Sequence, residues 1–220
     1  GHRRREHPIV KGDRIQVGET LLTFFPDVVD DPLIGKTVSG FEVLERVGRG
    51  GMGTVYKARQ LSLDRRVALK VLSRDLAANR TFVDAFHGEA RAAGQINHPS
   101  IVQVYDVDSV RIEGEEITFF AMEYMPGGSV EDLLNRVQKL SELRALEIAL
   151  DTARGLQYAE KRNIVHRDIK PGNLMLSESG VAKIGDLGIA RSGEKGKVSQ
   201  KDGVSGSPHY IAPEQARGED

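Results

Sequence analysis

His166-Arg167-Asp168-Ile169-Lys170-Pro171-Gly172-Asn173 is the stretch that decides how this chain folds and what it does. It gathers a carboxylate, two fixed cations, an imidazole and a carboxamide within eight residues. A solvated surface loop of mixed polarity would account for that composition taken alone. Four other short motifs, in a fixed order around it, argue otherwise: Gly48-Arg49-Gly50-Gly51-Met52-Gly53-Thr54-Val55, Val67-Ala68-Leu69-Lys70, Gly185-Asp186-Leu187-Gly188 and Ala212-Pro213-Glu214. The ordered set carries more information than any one member.

Gly48, Gly50 and Gly53 form a GxGxxG string, which is weak by itself because dinucleotide-binding folds use the same spacing. In such a fold a helix opens directly after the string, whereas Thr54-Val55-Tyr56-Lys57-Ala58 has the β-rich character of a strand. A glycine-rich hairpin lets backbone amides approach phosphate groups without side-chain interference; the alternative is a tight hairpin with no ligand. Lys70 lies between Val67-Ala68-Leu69 and Val71-Leu72, and a cation inside a buried strand is costly unless it meets phosphates or an acid. Two acids, Asp84 and Glu89, lie on a helix predicted over 81–96 from the spacing of Phe82, Phe86, Ala90 and Ala93.

From about residue 41 to residue 220 the motif set resembles the bacterial eukaryotic-like (Hanks-type) serine/threonine protein kinases. The resemblance implies an α+β bilobal protein kinase fold, with a small β-rich N-lobe over about 41–125 and a helical C-lobe, incomplete here, over 126–220. It implies Mg2+ and ATP as cofactor and cosubstrate, and a protein serine or threonine hydroxyl as acceptor. Carried over residue by residue, the match makes Asp168 the group that accepts the substrate hydroxyl's hydrogen bond and Lys170 the cation that neutralises the transferring phosphoryl group. Asn173 and Asp186 become the Mg2+ ligands. Lys70 would hold the α- and β-phosphates while paired with Glu89, which fits the family pattern better than Asp84. Gly48, Gly50 and Gly53 would cover the phosphates and Val55 the adenine. Ala68, Met122, Glu123, Met125 and Met175 would complete the nucleotide pocket, although methionines there are also what plain core packing gives.

Leu187 departs from the family's usual phenylalanine but keeps the position apolar, so an altered preference between active and inactive states is expected, not loss of activity. The segment 187–212 is hydrophilic and contains no threonine. Activating autophosphorylation there is expected on Ser199 or Ser205, with a merely flexible polar loop as the alternative, and Arg167 is the residue that would receive such a phosphate. Ser207 and Lys170 together point to serine/threonine specificity. The chain ends six residues after Glu214, so the later helices of a kinase large lobe are expected to be missing. The 220-residue piece is then expected to be poorly stable and weakly active, and the full gene product a working kinase. From another functional class, a pseudokinase or phosphopeptide-binding scaffold competes. Against it, Lys70, Glu89, Asp168, Asn173 and Asp186 are all present, and a scaffold has no need to keep all five.

Composition narrows the field further. Lys+Arg of 31 against Asp+Glu of 32 argues against nucleic acid or an anionic membrane as the main partner. The absence of cysteine excludes disulfides, thiolate catalysis and cysteine-bound metal, and fits a cytoplasmic location. No apolar run approaches the roughly 18 residues of a membrane span. Residues 1–25 contain two predicted strands, 14–17 and 20–25, around Gly18-Glu19. This stretch resembles the closing strands of a forkhead-associated (FHA) domain, a β-sandwich that binds phosphothreonine peptides; an unrelated hairpin is the alternative. The FHA ligand-binding residues would lie upstream, so none is assigned. Residues 26–40, acidic and proline-flanked, are predicted to be a linker.

Overall fold

The computed structural model describes residues 31–186 and 209–217, together with the backbone of 14–17 and 20–23. Strands β1 (Arg14–Val17) and β2 (Thr20–Thr23) pair antiparallel, Arg14 opposite Thr23, as the strand-forming residues on either side of Gly18-Glu19 predict. Strands β3 (Thr37–Val38), β4 (Phe41–Arg49), β5 (Gly53–Gln60), β6 (Arg65–Leu72), β7 (Val104–Ile112) and β8 (Glu115–Glu123) form one antiparallel sheet in the order β3-β4-β5-β6-β8-β7.

Register sorts the sheet into two faces, because cross-strand partners project to the same side. Tyr56, Leu69 and Ala121 align across β5, β6 and β8. With Phe41, Val43, Val67 and Phe119 they form a closed core, in which the Phe41 and Phe119 rings meet edge to face at 5.9 Å. Each such buried side chain contributes about 1.5–3 kcal/mol. On the opposite face Val55, Lys70 and Phe120 align, and beside them Lys57, Ala68 and Met122.

Part of that second face is covered by helix α2 (Arg80–Gly94), which follows the short α1 (Arg74–Ala77). Asn79 starts α2, its side-chain oxygen accepting the Thr81 N–H. The helix buries Phe86, Glu89, Ala90 and Ala93, and Phe86 stacks on Phe120 at 4.9 Å. The predicted apolar stripe therefore differs at one end: Phe82 is 48% exposed and Glu89 takes the interior place. The stripe's rotation was set by the sheet it had to meet.

Residues 31–40 also differ from the linker predicted for 26–40. Leu33 and Val38 are buried in the Tyr56 face of the sheet, and β3 pairs with β4. Asp31 accepts the Tyr56 hydroxyl on both carboxylate oxygens at 3.0 Å. Two apolar residues five apart are too few to register as periodicity, so composition dominated that expectation.

In the second unit the sequence predicts helix starts at Ser129, with Asp132 three residues on, and at Ser141, ahead of a longer helix to about Glu160; α3 (Val130–Val137) and α4 (Glu142–Glu160) open at those serines. Ser129 and Asp132 form a reciprocal capping box, and the Ser129 hydroxyl and N–H hold the Asp132 carboxyl below the usual carboxylate range. Ser141 accepts the Arg144 N–H. A Cβ at Gly155 of α4 would lie 2.8 Å from the Ser100 carbonyl and from Ile184, so glycine lets the helix lie close against that segment. Strands β9 (Leu174–Leu176) and β10 (Ala182–Ile184) form a hairpin packed on α4, and α5 (Pro213–Ala216) closes the described chain. Ile96, Ile101, Val130, Ile148, Leu174 and Ile184 make this unit's core.

Candidate active site

The glycine hairpin divides its labour. Gly50 and Gly53 exchange backbone hydrogen bonds of 2.8 and 3.3 Å across the turn. A Cβ at Gly53 would lie 2.0 Å from the Val71 carbonyl oxygen, so packing of β5 on β6 requires glycine there. Gly48 and Gly50 instead have nothing within 4 Å of where a Cβ would stand, and so keep backbone accessible from that side.

Lys70 sits at the centre of the second sheet face, only 8% exposed. Its Nζ forms an ion pair of 2.6 Å with Asp186 Oδ1 and lies 5.6 Å from the Phe120 ring centroid. That bond brings in a carboxylate from 116 positions away, in addition to Glu89, the acid that the sequence assigns to Lys70. Glu89 is buried on α2, and with Asp186 it lines a small cavity between α2, β8 and the end of β10.

A second cluster is built by the 166–173 stretch. Asn173 donates through Nδ2 to the Asp168 carbonyl at 2.8 Å and to Asp168 Oδ2 at 3.0 Å, while Lys170 Nζ stands 3.1 Å from the same oxygen. The buried His166 accepts the Asp168 N–H on Nδ1 and meets the Gly185 carbonyl through Nε2 at 2.9 Å. An imidazole with one acceptor and one donor nitrogen satisfies both contacts, which fixes its tautomer. Leu174 pairs with Ile184, so Asn173 and Gly185 flank the β9–β10 hairpin at the same end and bond at 2.8 Å. That register brings Asn173 beside Asp186.

Both loops carry backbone outside the ordinary regions. Arg167 has φ 65° and Asp186 φ 46°, left-handed values that cost a non-glycine residue roughly 1–2 kcal/mol each. Strain that persists at Asp186 and at the residue just before Asp168 marks positions held by their surroundings.

Of the remaining expected residues, Ala68 and Met122 are cross-strand partners and share the Lys70 face, as does Val55. Met125 is buried after β8, and Met175 lies opposite Lys183 in the β9–β10 hairpin. Glu123 has its side chain committed elsewhere: Oε1 accepts Lys183 Nζ at 2.6 Å, and its N–H bonds the Gln103 carbonyl at 2.8 Å. Any nucleotide contact from Glu123 is thereby left to its carbonyl. Lys183 and Gln215 belong to the site's surroundings and were not singled out by sequence; neither stands in a motif whose chemistry names it. Leu187, Ser199, Ser205 and Ser207 lie outside the described residues.

These contacts join a buried lysine to one carboxylate and an asparagine and a second lysine to another, the two groups linked through the Gly185 N–H and the Asn173 carbonyl. Residues 41–220 match the family model described as the protein kinase domain. The chain belongs to the protein kinase family. The kinase-domain relatives agree: serine/threonine-protein kinase PknA of Mycobacterium tuberculosis is 40% identical over 191 residues, which cover 86% of this chain and 44% of PknA. PrkC of Bacillus subtilis is 38% identical over 187 residues, covering 84% and 28% of the two chains. The probable serine/threonine-protein kinase PknB of Bifidobacterium longum is 39% identical over 186 residues, covering 81% and 27%. This kinase chain thus spans less than half the length of those curated relatives. Its bilobal α+β fold, with a β-rich first lobe and a helical second unit, is the one the motifs predict.

Proposed function

We propose that this kinase domain transfers the γ-phosphoryl group of ATP to serine or threonine hydroxyls of proteins. The observation that carries the proposal is the hydrogen-bonded chain from Lys70 to Asp186 and, across the β9–β10 end, from Asn173 to Asp168 and Lys170. Phosphoryl transfer needs little covalent chemistry from the protein; it needs cations on the phosphates and a carboxylate on the nucleophile. The names of PknA and PrkC as serine/threonine-protein kinases support the acceptor class.

In this scheme Gly48 and Gly50 admit the phosphates, Val55, Ala68, Met122, Met125 and Met175 hold the adenine, and Lys70, with Glu89 and Asp186 nearby, holds the α- and β-phosphates. The donor set of Asp186 carboxylate and Asn173 carboxamide oxygen suits Mg2+, a hard cation that takes few protein oxygens and completes its shell with water and phosphate. When bound there, Mg2+ would neutralise negative charge on the phosphates of ATP. Asp168 accepts the substrate hydroxyl's proton as its oxygen bonds to the γ-phosphorus, and the bond to the bridging oxygen breaks to release ADP. Lys170 neutralises the moving group.

Phosphorylation of Ser199 or Ser205, read by Arg167, is the proposed activating switch, and the β1–β2 hairpin is the feature that suits an FHA-type module ahead of the kinase. A cytoplasmic setting for the catalytic unit fits ATP use. Among the described residues no helix is long and apolar enough to cross a membrane.

The test is transfer of labelled phosphate from Mg-ATP to the full-length protein and to a basic protein substrate, with Asp168→Asn and Lys70→Met alongside. Labelling of serine or threonine should fall by about 100-fold or more in each variant. Wild-type protein that binds Mg-ATP, melts cooperatively and incorporates nothing would instead favour the scaffold reading.

A further inference from the structure

Residues 209–217 supply no group to the chemistry above, yet one side chain there reaches the catalytic loop. Gln215 of α5 accepts the Ala212 N–H on Oε1 at 3.3 Å, and its Nε2 donates to the Arg167 carbonyl at 2.9 Å. The amide has only one workable orientation, because exchanging its oxygen and nitrogen would set acceptor against carbonyl and donor against N–H. The first bond is a helix-start device found at many third helical positions. The second has no such explanation: it spans 48 residues of sequence to a backbone carbonyl adjoining Asp168.

Arg167 is the residue whose left-handed φ of 65° sets the direction in which Asp168 leaves the backbone. His166 fixes the peptide on the Asp168 side by accepting the Asp168 N–H at 3.2 Å. Gln215 grips the same peptide unit, Arg167 C=O to Asp168 N–H, from its carbonyl end. A non-glycine residue stays in this region only when the surroundings over-determine it, and these two side chains are such surroundings.

We propose that Gln215 is a positioning residue for phosphoryl transfer: through the Arg167 carbonyl it ties the orientation of Asp168 to the placement of α5. The inference rests on the reading of Asp168 given above. Displacement of the chain at α5 is then felt at the carboxylate that orients the substrate hydroxyl, with no change at the nucleotide.

Two substitutions separate the halves of the amide. Gln215→Glu keeps an acceptor for Ala212 and loses the donor to Arg167; Gln215→Lys keeps a donor and loses the acceptor. The measurement is kcat, KM for ATP and thermal midpoint of the full-length protein and both variants, each kcat taken as a ratio to wild type across about pH 5.5 to 8.5. Gln215→Glu should lower kcat about 10- to 100-fold at the alkaline end, as expected for a reacting group held about 1 Å out of place, with KM for ATP unchanged. Its ratio should climb towards the acid end, where the introduced carboxyl regains a proton and can donate. Gln215→Lys should keep kcat within about threefold of wild type while its thermal midpoint falls from loss of the cap. Wild-type kcat in Gln215→Glu at high pH, or equal kcat losses in both variants with flat pH ratios, would overturn the proposal. If Gln215→Glu does not fold, Gln215→Leu, which also lacks the donor, takes its place: the same kcat loss at unchanged KM for ATP supports the proposal and wild-type kcat overturns it. Phosphotransfer that survives Asp168→Asn would instead sink the underlying site assignment, whatever the Gln215 variants do.

Discussion

Tyr56 illustrates how one residue is set by partners the sequence does not announce. It is 5% exposed, and its hydroxyl donates to Asp31, whose side chain is 7% exposed and has Arg46 at 3.9 Å. Burial, then the hydrogen bond to the Asp31 carboxylate, pushes the Tyr56 phenol from 10.0 up to about 12. Because the folded value lies above the unfolded one, the contribution is complete below pH 10 and is lost as pH rises towards 12. Tyr56→Phe should therefore cost about 1–3 kcal/mol at neutral pH in urea melts, since Asp31 loses its donor. The gap from wild type should narrow through the alkaline window; a gap that stays constant with pH would contradict the assignment. By contrast the motifs that hold Lys70, Asp168, Asn173 and Asp186 stand out in the sequence, because the chemistry proposed for them tolerates few residue types at few spacings. The Tyr56–Asp31 bond serves only packing, which many residues satisfy.

At the level of elements, the glycine hairpin gives a contrast that periodicity alone does not. Gly53→Ala would drive a Cβ into the Val71 carbonyl, with 2.0 Å available, and backbone on both sides leaves little room to yield. Urea denaturation should show a loss of about 1–3 kcal/mol or more. Gly50→Ala meets open space, so its melt should stay near wild type while KM for ATP rises. Equal destabilisation by the two would mean that the hairpin is not divided in this way. Helix starts were readable to within a residue at Ser129 and Ser141, because a capping hydroxyl acts locally. The face that α2 presents was not, since Phe82 and Glu89 exchanged the places their hydrophobicity suggests. Burial of Glu89 depends on what α2 meets, and a single sequence carries no record of that.

Across the whole molecule, the two units are joined by the strand-like run 100–103, which bonds Ile184 on one side and Glu123 on the other. The Lys183–Glu123 ion pair, with side chains 17% and 24% exposed, reinforces that junction. Lys183→Met should lower stability by about 1–3 kcal/mol, less than for a fully buried pair because water still reaches both groups. With Glu123→Gln the two losses should not add, so a double-mutant cycle on the melts reads the coupling directly, and simple additivity would show the pair to be idle. By itself the sequence determined the family, the α+β fold class and the motifs whose side chains are proposed to carry the reaction, because motif chemistry and hydrophobic period are local properties of the chain. Only the tertiary structure decided that Lys70 meets Asp186, that residues 31–40 belong to the first lobe, and that Gln215 reaches Arg167. Each of these joins residues 25 to 116 positions apart, and such contacts depend on which faces of separate elements come together.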